Sequence, residues 1–302
     1  MLKIIYSPNY YVDIGIHVLP MEKYELIIKE LIKEKIILPD EIIEPQPASK
    51  EDLLLAHSKE YIDEFEGLCP RTERTRSSEL PLRKDIVDAF KLSTGGTIMA
   101  AHTALKYGIA INIGGGFHHA FSDRAEGFCY INDIAVAIKK CLSDGLIKKA
   151  AVIDCDLHQG NGTAVIFQNN KDVFTFSIHQ QDLYPDKEKS DLDIGLEANT
   201  DDEGYLPFLK NALLKIFNDF KPQLIIYQAG ADPFMGDQLG SLKLSFEGLK
   251  QRDRLVIGEC VRNNVPCAVT LGGGYAYNTS DTVKIHVNTC KVANEFLVMV
   301  QK

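Results

Sequence analysis

Ala151-Val152-Ile153-Asp154-Cys155-Asp156-Leu157-His158-Gln159-Gly160-Asn161-Gly162 is the stretch on which both fold and chemistry turn. An apolar run leads directly into Asp-x-Asp-x-His. Continuous rather than alternating hydrophobicity predicts a strand covered on both faces, as in a parallel sheet. The polar residues begin where the strand ends. On an extended segment, positions i, i+2 and i+4 point to one side, so the spacing predicts that Asp154, Asp156 and His158 converge. Two carboxylates and an imidazole share one face cheaply only around a cation. Carboxylate and imidazole donors without thiolate suit catalytic zinc, iron or manganese. The plainer alternative is an Asp-rich turn capping the next helix.

Working outward, further short apolar runs occupy 2–6, 109–113, 173–178, 224–227 and 267–271. Helical patterns lie between them. Segment 22–35 sets Leu26, Ile27, Leu31 and Ile32 on one side against Lys and Glu. Thr200-Asp201-Asp202-Glu203 reads as a capping box, followed by an apolar set of Tyr205, Phe208, Leu209, Ala212, Leu213 and Ile216. Ser245 is placed to cap a helix reaching about residue 262, and a last helix covers roughly 281–300. Strands alternating with helices predict an α/β fold with a mainly parallel sheet. With no repeat, low-complexity tract or linker, residues 1–302 read as one domain. The polar stretch 66–84, with Arg71, Arg74 and Arg76, reads as a surface loop.

In such sheets ligands bind beyond the carboxyl ends of strands, and three other strand ends also carry unusual residues. Asn112-Ile113-Gly114-Gly115-Gly116-Phe117-His118-His119 brings a glycine run and then paired imidazoles. Gln228-Ala229-Gly230-Ala231-Asp232 ends a strand in Gly and Asp, which makes Asp232 the natural third ligand beside Asp156 and His158. Three protein ligands leave a position open for water and substrate. Leu271-Gly272-Gly273-Gly274-Tyr275 delivers a phenol able to donate to a developing oxyanion. Together the parts describe a metal-assisted hydrolase of a carbonyl compound such as an amide.

Composition sets the frame. The 302 residues include 33 Lys plus Arg and 42 Asp plus Glu, for a formal charge of −9. Such an acidic chain is a poor direct ligand of nucleic acid. No apolar run approaches about 18 residues, so no membrane span is expected. The start, Met1 to Pro8, lacks the features of a signal peptide. Seven cysteines, with no CxxC pair, read as reduced thiols in a cytoplasmic protein. Cys129 and Cys155 flank the candidate site, where oxidation is expected to disturb it.

Five stretches in this order resemble the histone deacetylase family: Gly-Gly-Phe-His-His-Ala, Gly-Phe-Cys-Tyr-Ile-Asn-Asp, Asp-Cys-Asp-Leu-His-Gln-Gly-Asn-Gly-Thr, Gly-Ala-Asp-Pro-Phe-Met-Gly-Asp and Gly-Gly-Gly-Tyr. The resemblance covers nearly the whole chain. Tyr6-Ser7-Pro8-Asn9-Tyr10, the segment Ser93 to Ala100, and the segment Asn112 to His119 resemble the class IV branch in particular. The resemblance implies the arginase–deacetylase fold, a three-layer α/β/α domain with a mainly parallel eight-stranded sheet. It implies zinc, with iron(II) as the other metal, held by Asp156, His158 and Asp232. It makes His119 the proton-transfer group, His118 mainly electrostatic and Tyr275 the oxyanion donor. Gly127 and Phe128 match one wall of an acyl-lysine tunnel, and Tyr184 the other. Asp154 orients His118 and, with Ser177 and the carbonyls of Asp156, His158 and Ile178, implies a structural potassium site. Phe167 offers a carbonyl to a second one. Asn161 stands where class I members have Asp, and Gln159 replaces a common His.

The implied substrate is an acyl-lysine protein or peptide, acetyl or longer, and a monomeric enzyme is expected. Polyamine deacetylases of the family carry an acidic gatekeeper where this chain has Leu239, which disfavours an acetylpolyamine. That small-amide hydrolase is one alternative function. A non-catalytic acyl-lysine-binding module is the other.

Overall fold

The computed structural model describes residues 2–68 and 72–300. Among these, eight strands form one sheet: β1 (Lys3–Ile5), β2 (Ile42–Ile43), β3 (Ile109–Asn112), β4 (Ala150–Asp154), β5 (Val173–Gln180), β6 (Leu192–Leu196), β7 (Leu224–Gln228) and β8 (Cys267–Thr270). Their order is β2-β1-β3-β8-β7-β4-β5-β6. Every pairing is parallel. The helices are α1 (Lys23–Lys33), α2 (Lys50–Leu54), α3 (Lys59–Glu66), α4 (Glu73–Arg76), α5 (Lys84–Tyr107), α6 (Asp133–Ser143), α7 (Asn161–Phe167), α8 (Asp202–Lys215), α9 (Phe246–Arg262) and α10 (Thr279–Val300). None is long and apolar enough to cross a membrane.

The apolar runs form strands because both faces are covered. Every residue of β3, β4, β7 and β8 is buried. Side chains alternate between two cores. Ile153, Ile225 and Val269 join residues of α1, α8, α9 and α10 on one face. Val152, Ile226 and Ala268 join α3, α5 and α6 on the other. The result is a three-layer α/β/α domain. The four strands whose ends carry the unusual residues are the adjacent quartet β3-β8-β7-β4 at the middle of the sheet. Residues far apart in sequence therefore meet at one edge.

Several local expectations shift. Helix α8 is capped one residue later than the capping box predicts: Asp201 accepts from Gly204 N–H at 3.1 Å, while Thr200 Oγ1 donates to the Glu197 carbonyl at 2.7 Å. A carboxylate accepts more strongly than a hydroxyl, so Asp201 takes the cap. Ser245 does cap α9, accepting from Gly248 N–H at 2.9 Å. Leu26 and Phe208 face solvent, and the buried stripe of α1 is Tyr24, Ile27, Ile28 and Leu31. Stretch 66–84 is more than a surface loop. Its carbonyls at Arg74, Ser77 and Ser78 accept from the N–H groups of Ala125, Gly127 and Phe128, and Arg71 lies outside the described residues. Strands β2 and β6 escape the apolar-run reading because they are edges. β2 has two residues, and β6 is only partly buried and carries Asp193 and Gly195.

A buried ion pair ties the sheet edge to the helical layer. Arg252 of α9 is fully buried. Its guanidinium donates to Asp253 at 2.8 Å, to the Cys155 carbonyl at 3.3 Å and to the Gly230 carbonyl. Asp253 also accepts from Tyr227 and Thr289 hydroxyls at 2.6 and 2.7 Å. One side chain thus grips the backbone just after β4 and just after β7. Breaking a satisfied buried pair strands a charge, so Arg252→Met is expected to destabilise by about 3–5 kcal/mol in urea unfolding. A loss below about 1 kcal/mol would show that the pair holds nothing together.

Candidate active site

Beyond β4 the chain bends instead of staying extended, so Asp154 separates from the two residues after it in the pattern. Asp154 Oδ2 lies 2.7 Å from His118 Nδ1, and its Oδ1 accepts from Asp156 N–H at 3.1 Å. The predicted three-way convergence gives way to a different trio. Asp156, His158 and Asp232 are buried, with ligand atoms all within 4.8 Å of one another. His158 Nδ1 faces both carboxylates, 3.3 Å from Asp156 Oδ1 and 3.3 Å from Asp232 Oδ2.

Backbone amides hold these groups in place. Gly273 N–H donates to Asp156 Oδ2 at 3.1 Å, His158 N–H to Asp156 Oδ1 at 3.1 Å, and Leu157 N–H to Asp232 Oδ1 at 3.0 Å. Asp232 Oδ2, although buried, receives no hydrogen bond of proper geometry; the His158 Nδ1 contact at 3.3 Å is poorly aligned. An orphaned buried acceptor is costly. The surroundings keep the space beside it clear: a Cβ at Gly273 would approach Asp232 Oδ2 to 2.2 Å and Asp156 Oδ2 to 2.5 Å. Burial and the Asp156 charge push the Asp232 carboxyl up to about 7, whereas Asp156, despite burial, is held well below the usual range by His118 and His158. Two carboxylates, one imidazole and an unanswered lone pair fit a divalent cation, and their donor chemistry is that of catalytic zinc.

The paired histidines follow β3 through a turn that depends on glycine. Gly116 has φ +82°, and a Cβ there would strike the Gln228 amide at 2.2 Å. Asp133, at the start of α6, fastens the turn by accepting from Gly116 and Phe117 N–H at 2.9 and 2.7 Å. The two imidazoles then meet opposite environments. Burial disfavours charge on His118, but Asp154 and Asp156 outweigh it and raise His118 to about 9. Burial, with His118 and His158 adding to it, drives His119 well below 6.5, and its Nδ1 lies 2.8 Å from Asn161 Oδ1. His118 is therefore the charged member of the pair and His119 the neutral one.

Tyr275 is buried, its N–H donating to Asp237 at 2.7 Å. Burial, then the charges of Asp232 and Asp156, raise its hydroxyl well above 10, so it stays a donor. Its ring packs edge-on against Phe128 at 5.9 Å between centroids. Phe128 has φ +64°. A bulky side chain in that region stores of order 1–3 kcal/mol of strain, of the kind that functional sites hold. Tyr184 packs on His119 at 5.5 Å and on His158 at 6.2 Å. A Cβ at Gly127 would meet its hydroxyl at 2.7 Å. Gly127 and Tyr184 thus lie against His119, and Phe128 against Tyr275. The cavity, of about 30 Å³, is lined by His118, His119, Gly127, Phe128, Asp156 and Tyr275 among others. Leu239 is outside this lining. It is half-buried and gives its N–H to Asp237 at 2.9 Å.

Asp154 and Ser177 are register partners across β4 and β5, and Ser177 Oγ lies 2.9 Å from His179 Nδ1. The Phe167 carbonyl accepts from Asn170 N–H at 2.8 Å. Gln159 clamps the loop after Tyr184, bonding Glu188 at its N–H and its carbonyl. Six cysteines among the described residues are free and buried. Burial pushes the Cys155 thiol up to about 12 and Cys129 well above 9. Burial of this kind holds both as protonated thiols.

Four contributors escaped the sequence reading. Lys23 is fully buried, lines the cavity and donates to the Gly272 carbonyl; burial lowers it to about 8. The only sequence signal was a lysine at the start of an amphipathic helix. Asp133 and Asn132 lay inside a quoted motif without a role. Asn132 caps α6 and also donates to the His118 and Ala120 carbonyls at 3.3 and 3.0 Å. Glu126 sits at 2.7 Å from Asn161 Nδ2 and had no signal at all.

The histone deacetylase domain model matches residues 17–290. An uncharacterized protein of Picosynechococcus sp. is 39% identical over 287 residues, covering 94% of this chain and 95% of its own. Histone deacetylase 2 of Arabidopsis thaliana is 31% identical over 296 residues, covering 93% of this chain and 76% of its own. A crystal structure of a histone deacetylase homologue complexed with SAHA superposes with a TM-score of 0.86 at 27% identity, covering 99% of this chain and 88% of that one. The homologue from Aquifex aeolicus gives the same score and identity over 97% and 84%. The matched span contains all four central strands and every residue of the candidate site, and the chain belongs to the histone deacetylase family, as a deacetylase-type hydrolase.

Proposed function

We propose that the protein is a zinc-dependent lysine deacylase of class IV type, hydrolysing the amide of Nε-acyl-lysine on proteins or peptides. The observation that carries the reading is the open trio of Asp156, His158 and Asp232, with an unanswered lone pair, beside a neutral His119 and a protonated Tyr275. When bound, zinc polarises a carbonyl and acidifies a coordinated water. The remaining work belongs to the chain. His119, neutral, takes a proton from the attacking water and returns one to the leaving lysine amine. His118, held charged by Asp154, supplies positive potential beside it. The Tyr275 hydroxyl donates to the oxygen that gains charge as the carbonyl becomes tetrahedral. Phe128 and Tyr184 flank the lysine stem and exclude water. Asp154 and Ser177 offer oxygen donors suited to a structural potassium ion. The Ser93 to Ala100 segment supports the class IV assignment, and the Asn at 161, shared by the class II and class IV branches, argues against class I.

A second cavity of about 30 Å³ shares Leu19, Tyr24 and Phe117 with the first and is lined by Val12, Ile86, Ala89 and Phe90 among others. Each volume is of the order of one small group. Short acyl groups therefore suit the site as it stands, and longer ones need the shared wall to yield. Leu239 is neutral and offers nothing to a second ammonium, which favours lysine over a polyamine.

Two predictions follow from these roles. His119→Ala and Tyr275→Phe should each lower kcat on an acetyl-lysine peptide by at least about 100-fold with zinc content unchanged; full activity in either variant would remove that residue from the mechanism. Across an acetyl-to-myristoyl series on one peptide, Leu19→Ala should raise kcat/KM for long chains relative to acetyl. An unchanged ratio would mean that the acyl group does not reach the second cavity.

A further inference from the structure

Glu126 lies outside every stretch that carries the family resemblance, one residue before Gly127. Its backbone closes a two-residue hairpin with Cys129, through reciprocal bonds of 3.0 and 2.9 Å. Gly127 and Phe128, at φ +49° and +64°, occupy the turn. The side chain is 20% exposed. Its Oε1 accepts from Asn161 Nδ2 at 2.7 Å and from the Tyr184 hydroxyl at 3.4 Å, and Oε2 lies 3.8 Å from Arg124 Nε. Asn161 is buried, with its other end against His119.

The consequence is one of hydrogen-bond direction. An asparagine amide has a donating and an accepting end, and alone it can present either to an imidazole. A carboxylate only accepts. With Glu126 in place, Asn161 must turn its NH2 toward Glu126 and its oxygen toward His119. His119 Nδ1 must then carry the ring proton, which leaves Nε2 as the basic nitrogen. If the amide turned over, its NH2 would face Nδ1, the ring proton would move to Nε2, and the base would be lost. An aspartate at position 161 would need no such help, because both its oxygens accept.

We propose that Glu126 is a positioning residue that locks the Asn161 amide and, through it, the tautomer of His119. This deepens the reading of His119 as the base and rests on it.

The test is a tautomer measurement combined with a double-mutant cycle. In 15N NMR of the full chain, with the His119 signals identified by their absence in His119→Ala, wild type should show Nδ1–H alone. Glu126→Ala should show a mixture, and Glu126→Gln, isosteric but able to donate or accept, should do the same if the alanine variant does not fold. On an acetyl-lysine peptide, Glu126→Ala should lower kcat on the order of tenfold with KM and zinc content unchanged. In an Asn161→Asp background the same substitution should cost nothing. An equal loss in both backgrounds would reduce Glu126 to a structural support of the turn and overturn the proposal, as would an unchanged tautomer in both Glu126 variants. The NMR readout needs no substrate, so a wild-type protein without deacylase activity would refute the functional reading and leave this one to be judged by its spectrum.

Discussion

Two carboxylates and an imidazole are buried together at the carboxyl end of a parallel sheet, and the rest of the site is arranged around the repulsion between the two carboxylates. Asp156 and Asp232 reach this point from adjacent strands, β4 and β7. Each receives backbone N–H groups that fix its direction, and the glycines at 230 and 273 leave the space that both carboxylates face. From beneath, Arg252 holds the Cys155 and Gly230 carbonyls, so the two ligand-bearing loops share one anchor in α9. Such a cluster is expensive without a cation and well matched to one. The glycines, the amides and the buried arginine are all consequences of keeping it assembled.

The same crowding separates the two histidines. They are neighbours in sequence, their rings 4.1 Å apart, yet one is raised and the other depressed in basicity. The difference lies in their second partners. His118 faces the carboxylate of Asp154; His119 faces the neutral amide of Asn161. Environments this different hold two neighbouring imidazoles in different charge states. Tyr184 packs on His119 and His158, and Phe128, on its strained turn, packs on Tyr275, and burial of these groups lowers the local dielectric and strengthens each of these interactions.

Much of this was legible in the chain. The four central strands announce themselves because burial on both faces forces continuous apolar runs, and rare polar residues stand immediately after each run. Edge strands carry no such constraint, which is why Ile42–Ile43 and Leu192–Leu196 did not register. The i, i+2, i+4 argument brought Asp154 to the metal ligands, but it assumes that the strand continues, and the chain bends after Asp154. Leu239 came only from the resemblance to the family's gatekeeper position; its own neighbourhood in sequence marks no role, and in the fold its N–H bonds to Asp237. Lys23 and Glu126 were invisible for a different reason. Each is a single charged residue whose role comes wholly from where the fold delivers it, and no periodicity or spacing marks it.

The most direct test of the account is turnover of an acetyl-lysine peptide as a function of bound metal in one preparation, from metal-free protein to full loading. The account predicts no hydrolysis without metal, activity rising in proportion to bound zinc, and saturation at one ion per chain, with that ion lost in Asp232→Asn. Turnover that does not depend on metal occupancy, or zinc binding that survives the loss of Asp232 undiminished, would contradict it.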